Sequence, residues 1–99
     1  MGHWYFEGAN LADANFSNAY LGNANLSGAN LSNANLNFSN LNNVNLSGAF
    51  LSNAKLRGAD MTNANLSSAN VGGVDLSQVN LTGATCPNGF THGQNGANC

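Results

Sequence analysis

Near the C-terminus stand three residues whose types could do chemistry together: Cys86, His92 and Cys99. Two sulfurs and an imidazole at this spacing can serve as a disulfide beside a bystander histidine, as three ligands for a metal ion, or as two inert thiols. The paired C-x-x-C spacing of zinc sites is missing, which argues against the metal alternative. Other titratable groups are few: Glu7, Asp13, Asp60 and Asp75, the cations Lys55 and Arg57, and a second histidine, His3. Acid, base or nucleophilic catalysis needs such groups to converge in a cleft. Here both histidines fall in terminal segments and the carboxylates are scattered. No catalytic, cofactor-binding or metal-binding residue is expected, and the chain does not read as an enzyme.

The scarcity of charge excludes more. Lys+Arg is 2 and Asp+Glu is 4 in 99 residues, with a formal net charge of -2. Globular chains are about one-quarter charged. Two basic residues cannot neutralise a useful number of phosphates, so nucleic-acid binding by counterion release is excluded. No apolar run approaches the ~20 residues of a membrane helix, so no membrane partner is expected. No charged n-region and apolar h-region open the chain, which predicts that a leader has been removed or never existed. The length fits one small domain.

The elements that must position these residues come from a period of five. Leu11, Phe16, Leu21, Leu26, Leu31, Leu36, Leu41, Leu46, Leu51, Leu56, Met61, Leu66, Val71, Leu76 and Leu81 form an unbroken apolar column. Two residues before each sits a small one, from Ala9 and Ala14 through Ser39, Val44 and Ala64 to Val74, Val79 and Ala84. Asn or Asp dominates between the two columns. The 21 asparagines invite a disordered reading, but a disordered tract has no reason to hold three columns in register. Five matches neither the helical 3.6 nor the strand 2, so each unit must be a short extended piece followed by a bend. Asn18, Asn23, Gly28, Asn33, Asn43, Gly48, Asn53, Gly58, Asn63, Gly73 and Gly83 supply bend chemistry. A solenoid filled by a Leu column and an Ala column follows.

The units Ala24-Asn25-Leu26-Ser27-Gly28 and Ala64-Asn65-Leu66-Ser67-Ser68 resemble the pentapeptide-repeat family and its A(D/N)LXX consensus, over about 80 of the 99 residues. The resemblance implies an all-β fold: a right-handed quadrilateral parallel β-helix. Four units make one coil, residues twenty apart stack, and about four coils at ~4.8 Å spacing are expected. The domain plan is an N-terminal cap at 1–8, the solenoid at 9–85 and a capping loop at 86–99.

Open solenoid ends need atypical caps. Trp4 and Tyr5 are read as a lid over the first coil, with Phe6 in register with the apolar column. At the other end Cys86 takes the next Leu slot, and Pro87 cannot donate a ladder bond. The expected closure is a Cys86–Cys99 disulfide with Phe90 packed on the exposed core, worth about 3 kcal/mol in the chain-entropy treatment. A similar Cys-Pro-Asn/Asp-Gly loop ending in Cys is familiar from secreted or lumenal members of the family. A disulfide would mean an oxidising extracytoplasmic compartment (periplasm, thylakoid lumen or secreted) in preference to cytoplasm.

Stacking by twenty also sorts the surface. Asn25, Asn45 and Asn65 share a flat face with Ser27, Ser47 and Ser67. Lys55 should stack on Asp75 as a surface ion pair worth about 0–1 kcal/mol. Tyr20, Phe38 and Phe50 replace polar residues in outward columns, and Tyr20 and Phe38 are close enough in the coil map to touch, which makes them the candidate partner contact. A filled solenoid is expected to offer no ligand-sized pocket.

The function expected is a non-catalytic structural or protein-interaction module with an unknown protein partner, as a monomer or weak homodimer. Two alternatives are a DNA-mimic inhibitor of a topoisomerase, which the family resemblance suggests but four acids cannot paint, and a lattice- or ice-binding surface. Charge scarcity then follows from the fold, because stacked like charges would repel.

Overall fold

A computed structural model describes residues 4–99. His3 and the rest of the first three positions of the expected 1–8 cap lie outside the described residues. The five-residue unit folds the same way almost everywhere. In Leu46-Ser47-Gly48-Ala49 the Ala49 N–H donates to the Leu46 carbonyl at 3.0 Å, closing a four-residue turn. Gly48 sits at φ 67, the left-handed geometry that the third turn residue must adopt. Positive φ recurs at every fifth residue from Gly8 to Gly73 and again at Gly83. Glycine and asparagine dominate that column because they reach αL at least cost.

Between turns, parallel bridges join residues twenty apart, from Tyr5 with Asn25 to Asn65 with Thr85. Four units therefore make one coil. Three backbone bonds tie a regular side to its neighbour, as in Leu26 N–H to the Asn45 carbonyl (2.8 Å), Gly28 N–H to Ser47 (2.9 Å) and Asn45 N–H to Ala24 (3.0 Å). The asparagine between the two columns caps its own turn. Asn45 Oδ1 accepts from Ser47 N–H at 3.0 Å, and Asn30 and Asn65 do the same for Ser32 and Ser67. The Asn column thus serves the local backbone, as Asx-turn chemistry favours.

The core runs up the axis. Leu26, Leu31, Leu36, Leu41, Leu46 and Leu66 are buried together with Ala24, Ala29, Ala34 and Ala64. Ser39 is buried in the Ala column and satisfied, its hydroxyl donating to the Leu36 carbonyl at 2.7 Å. Towards the ends Phe6, Leu11 and Phe16, and Val71, Val74, Leu76 and Val79, are only partly covered.

The ends depart from expectation. Phe6 and Gly8 already donate to the carbonyls of Asn25 and Ser27, so the ladder of the first coil reaches back into the expected cap. Tyr5 occupies the outward column opposite Asn25 and is 71% exposed, so it is no lid. Trp4 stacks on Phe6 (centroids 6.1 Å apart, planes at 8°) but remains 52% exposed. At the C-terminus the chain doubles back as a tight hairpin. Thr85 pairs antiparallel with Thr91, Cys86 N–H donates to the Phe90 carbonyl (2.7 Å) and His92 N–H to Ala84 (2.8 Å). The hairpin turns Phe90 outward, leaving it 47% exposed, and Cys99 packs on the core in its place. Asn88-Gly89, a dipeptide that favours hairpins, was the available signal for this reversal.

Candidate functional site

The three chemistry-bearing residues at the C-terminus do converge. The Sγ atoms of Cys86 and Cys99 are 2.08 Å apart, a bonded disulfide that leaves no thiolate for a metal. His92 lies within the same cluster, its ligating nitrogen within 4.8 Å of both sulfurs. Its Nδ1 is 3.0 Å from the Cys99 carbonyl, so the ring braces the loop.

Lys55 and Asp75 behave differently. The bridges of their side read Asn15 with Asn35 and Asn35 with Lys55, and then stop. No backbone bond joins Leu56 N–H to the Asp75 carbonyl, or Asp75 N–H to Ala54, where the repeat demands both. The bond that survives has slipped by one residue: Gly58 donates to Gln78 (2.9 Å) where the pattern would choose Ser77. Segment 75–78 is flanked by valine at both Ala-column positions, Val74 and Val79. Its corner residue Gln78 is the exception to positive φ between Gly8 and Gly83. The opening thus coincides with two valines in the small-residue column and a corner outside the left-handed region.

A groove of about 300 Å³ results, lined by Asn37, Asn53, Ala54, Lys55, Leu56, Arg57, Gly73, Asp75 and Gln78. It corrects the expectation that a filled solenoid has no ligand-sized recess. The interior is filled; the recess forms on the flank, where two coils part. Lys55 and Asp75 face the groove from opposite walls and make no ion pair among the described residues. Asp75 instead caps its own turn, accepting from Ser77 N–H at 2.9 Å. The Ser77 hydroxyl and N–H hold its carboxyl below the usual carboxylate range. Because Lys55 cannot cap its turn as asparagine would, Asn37 of the coil beneath reaches up and accepts from Arg57 N–H at 2.9 Å.

Tyr20 and Phe38 are exposed at 67% and 58%, but the fold lays them over different neighbours. The Phe38 ring covers Gly58, where an added Cβ would fall 2.5 Å from the ring; Gly58 also sits at φ +71, so the position needs glycine twice over. The Tyr20 ring lies along its own strand over Gly22, beside Asn42. Asn42 Oδ1 is buried there without a hydrogen-bond partner. The two rings form no stacked pair: Phe38 lies over Gly58 of the next coil, and Tyr20 over Gly22 of its own strand.

Comparison with known proteins agrees with this geometry. The family model for pentapeptide repeats matches residues 9–48 and 45–83, in 8 copies. No curated protein matches the chain in sequence. Among solved structures, a pentapeptide repeat protein from Nostoc Pcc 7120 is 36% identical with a TM-score of 0.80, over 94% of this chain and 78% of that one. A pentapeptide repeat protein from the Arabidopsis thaliana thylakoid lumen is 32% identical with a TM-score of 0.46, over 82% of this chain and 60% of that one. Rfr23, from the cyanobacterium Cyanothece 51142, is 39% identical with a TM-score of 0.43, over 78% and 56%. The Nostoc likeness implies a right-handed β-helix, and proteins of this kind are in general non-catalytic structural or interaction modules. Five-residue columns, twenty-residue coils and the matched residues agree: the chain belongs to the pentapeptide-repeat family.

Proposed function

We propose that this protein is a non-catalytic protein-interaction module of about four coils, closed at its C-terminal end by the Cys86–Cys99 disulfide and working in an oxidising extracytoplasmic compartment. One observation carries the reading. The interior is filled and buried, while Trp4, Tyr5, Tyr20, Phe38, Phe50 and Phe90 all stand exposed. Exposed aromatic rings on a rigid scaffold are the residues that dominate protein interfaces. The disulfide supports the compartment, since such bonds persist where thiols are not kept reduced.

The two other readings fit less well. Asp13, Asp60 and Asp75 fall on different parts of the coil and both cations share one side, which is no continuous acidic stripe. The molecule measures 33 × 30 × 23 Å, a block and not a rod. A lattice-templating face would need free polar groups, yet Asn25, Asn45 and Asn65 spend Oδ1 on their own turns.

The test uses the oxidised protein as bait in an extract of its own compartment, beside a Tyr20→Asn/Phe38→Asn variant with the same unfolding midpoint. A specific partner should be captured at least ~tenfold less by the variant, the loss typical of an interfacial aromatic. Equal capture by both proteins would remove the aromatic surface from the reading.

A further inference from the structure

We propose that the groove between Lys55 and Asp75 is a binding site for a small ligand held by an oxyanion group, a carboxylate or a phosphate. Charge is the first reason. Lys+Arg is 2 in the whole chain, and both cations line this groove. With Asp75 opposite, the groove carries +1 within a chain of net charge -2. Among the described residues, it is where the lysine and the arginine come together.

Backbone chemistry is the second reason. Where the ladder parts, Leu56 N–H and Asp75 N–H lack the carbonyl partners that every regular side provides. Backbone N–H groups without a partner are strong donors, and Leu56 stands between Lys55 and Arg57. Asn37 adds a third donor: its Oδ1 is taken by Arg57 N–H, which leaves its NH₂ at the groove. An oxyanion can be met by a guanidinium fork, an ammonium and amide N–H groups together.

The remaining groups describe the rest of the ligand. The carbonyls of Ala54 and Asp75 lost their ladder donors in the same opening. They call for hydroxyl or amide donors on the ligand. A volume of about 300 Å³ suits a molecule the size of a sugar acid or sugar phosphate. The site is preformed, since Asn37 and the Asp75–Ser77 turn fix both walls.

Titration of the ¹⁵N-labelled oxidised protein with glucuronate, with glucose 6-phosphate and with glucose tests this. Glucuronate or glucose 6-phosphate should give saturable shifts at the amides of Leu56, Arg57, Gly58 and Asp75 to Gln78, with half-saturation at about 1 mM or tighter. The stronger arm identifies the oxyanion, and glucose should give none. Lys55→Asn/Arg57→Ser, which installs residue types common in the repeat, should weaken binding at least ~tenfold. Val74→Ala/Val79→Ala, which restores the usual small residues, should close the groove and do the same. Failure of both acids to saturate, an equal response to glucose, or undiminished binding by Lys55→Asn/Arg57→Ser would each overturn the site.

Discussion

The side carrying Asn25, Asn45 and Asn65 and the side carrying Asn35, Lys55 and Asp75 are built from the same five-residue unit, yet one closes and the other parts. On the first, Asn25, Asn45 and Asn65 each cap their own turn and the bridges run unbroken from Tyr5 to Thr85. On the second, asparagine gives way to Lys55, two alanine positions hold Val74 and Val79, and the corner residue Gln78 leaves the left-handed region. The Leu column is kept on both sides. Filling the interior therefore makes the solenoid. The closed side tolerates the single valine Val44, whereas the parted side combines two valines with a corner that has left the left-handed region.

The sharpest way to break that contrast is to truncate the Leu column on each side. Leu46→Ala, in the closed side and fully buried, should cost about 3 kcal/mol in denaturant unfolding. Leu76→Ala, in the parted side and partly exposed, should cost about half as much. Equal losses would mean that the two sides are packed alike in solution.

The disulfide comes next. Cys86→Ser/Cys99→Ser removes a bridge spanning 13 residues and should cost about 2–3 kcal/mol. Hydrogen exchange should speed up first in the last coil, from Leu66 to Ala84, while amides such as Leu31 and Leu36 keep their protection. Uniform loss would show that the regular and parted coils open as one unit.

Closing the parted side is a smaller effect. In Val74→Ala/Val79→Ala the Leu56 and Asp75 amides should exchange about tenfold more slowly, the equivalent of about 1.4 kcal/mol as ladder bonds re-form. Unchanged exchange would place the cause of the opening elsewhere, with Gln78 the next position to replace by glycine.

The smallest effect is a titration. The Asp75 carboxyl is depressed in the folded protein by its bonds to Ser77. Its contribution is therefore present above the unfolded carboxylate value of about 4 and is lost as pH falls through the lower folded value. The Ser77 amide shift should report a midpoint below that of a free aspartate. A midpoint at or above it would mean that the Asp75 turn is not formed.

Much of this molecule is legible in the chain. The glycine and asparagine positions read as bends are, without exception, residues at positive φ, because few other side chains reach αL cheaply. The two core columns and the place of Cys86 in the next Leu slot follow from the same spacing. Four things were not legible: the outward turn of Phe90, the separation of Tyr20 from Phe38, the exposure of Tyr5 and the groove. The groove and the turn of Phe90 depend on backbone bonds between segments brought together by the fold, and the separation of Tyr20 from Phe38 on which neighbour each ring covers.

The sequence by itself determined the period, the identity of the inward residues and the chemistry of each bend, since these are local: a turn is made within four residues, and a column repeats whatever its neighbours do. Only the tertiary structure decided which sides close. Closure is a bond between residues twenty apart, and it is absent between Lys55 and Asp75 although each belongs to a regular unit of five. A bond across two coils is not written in any single unit.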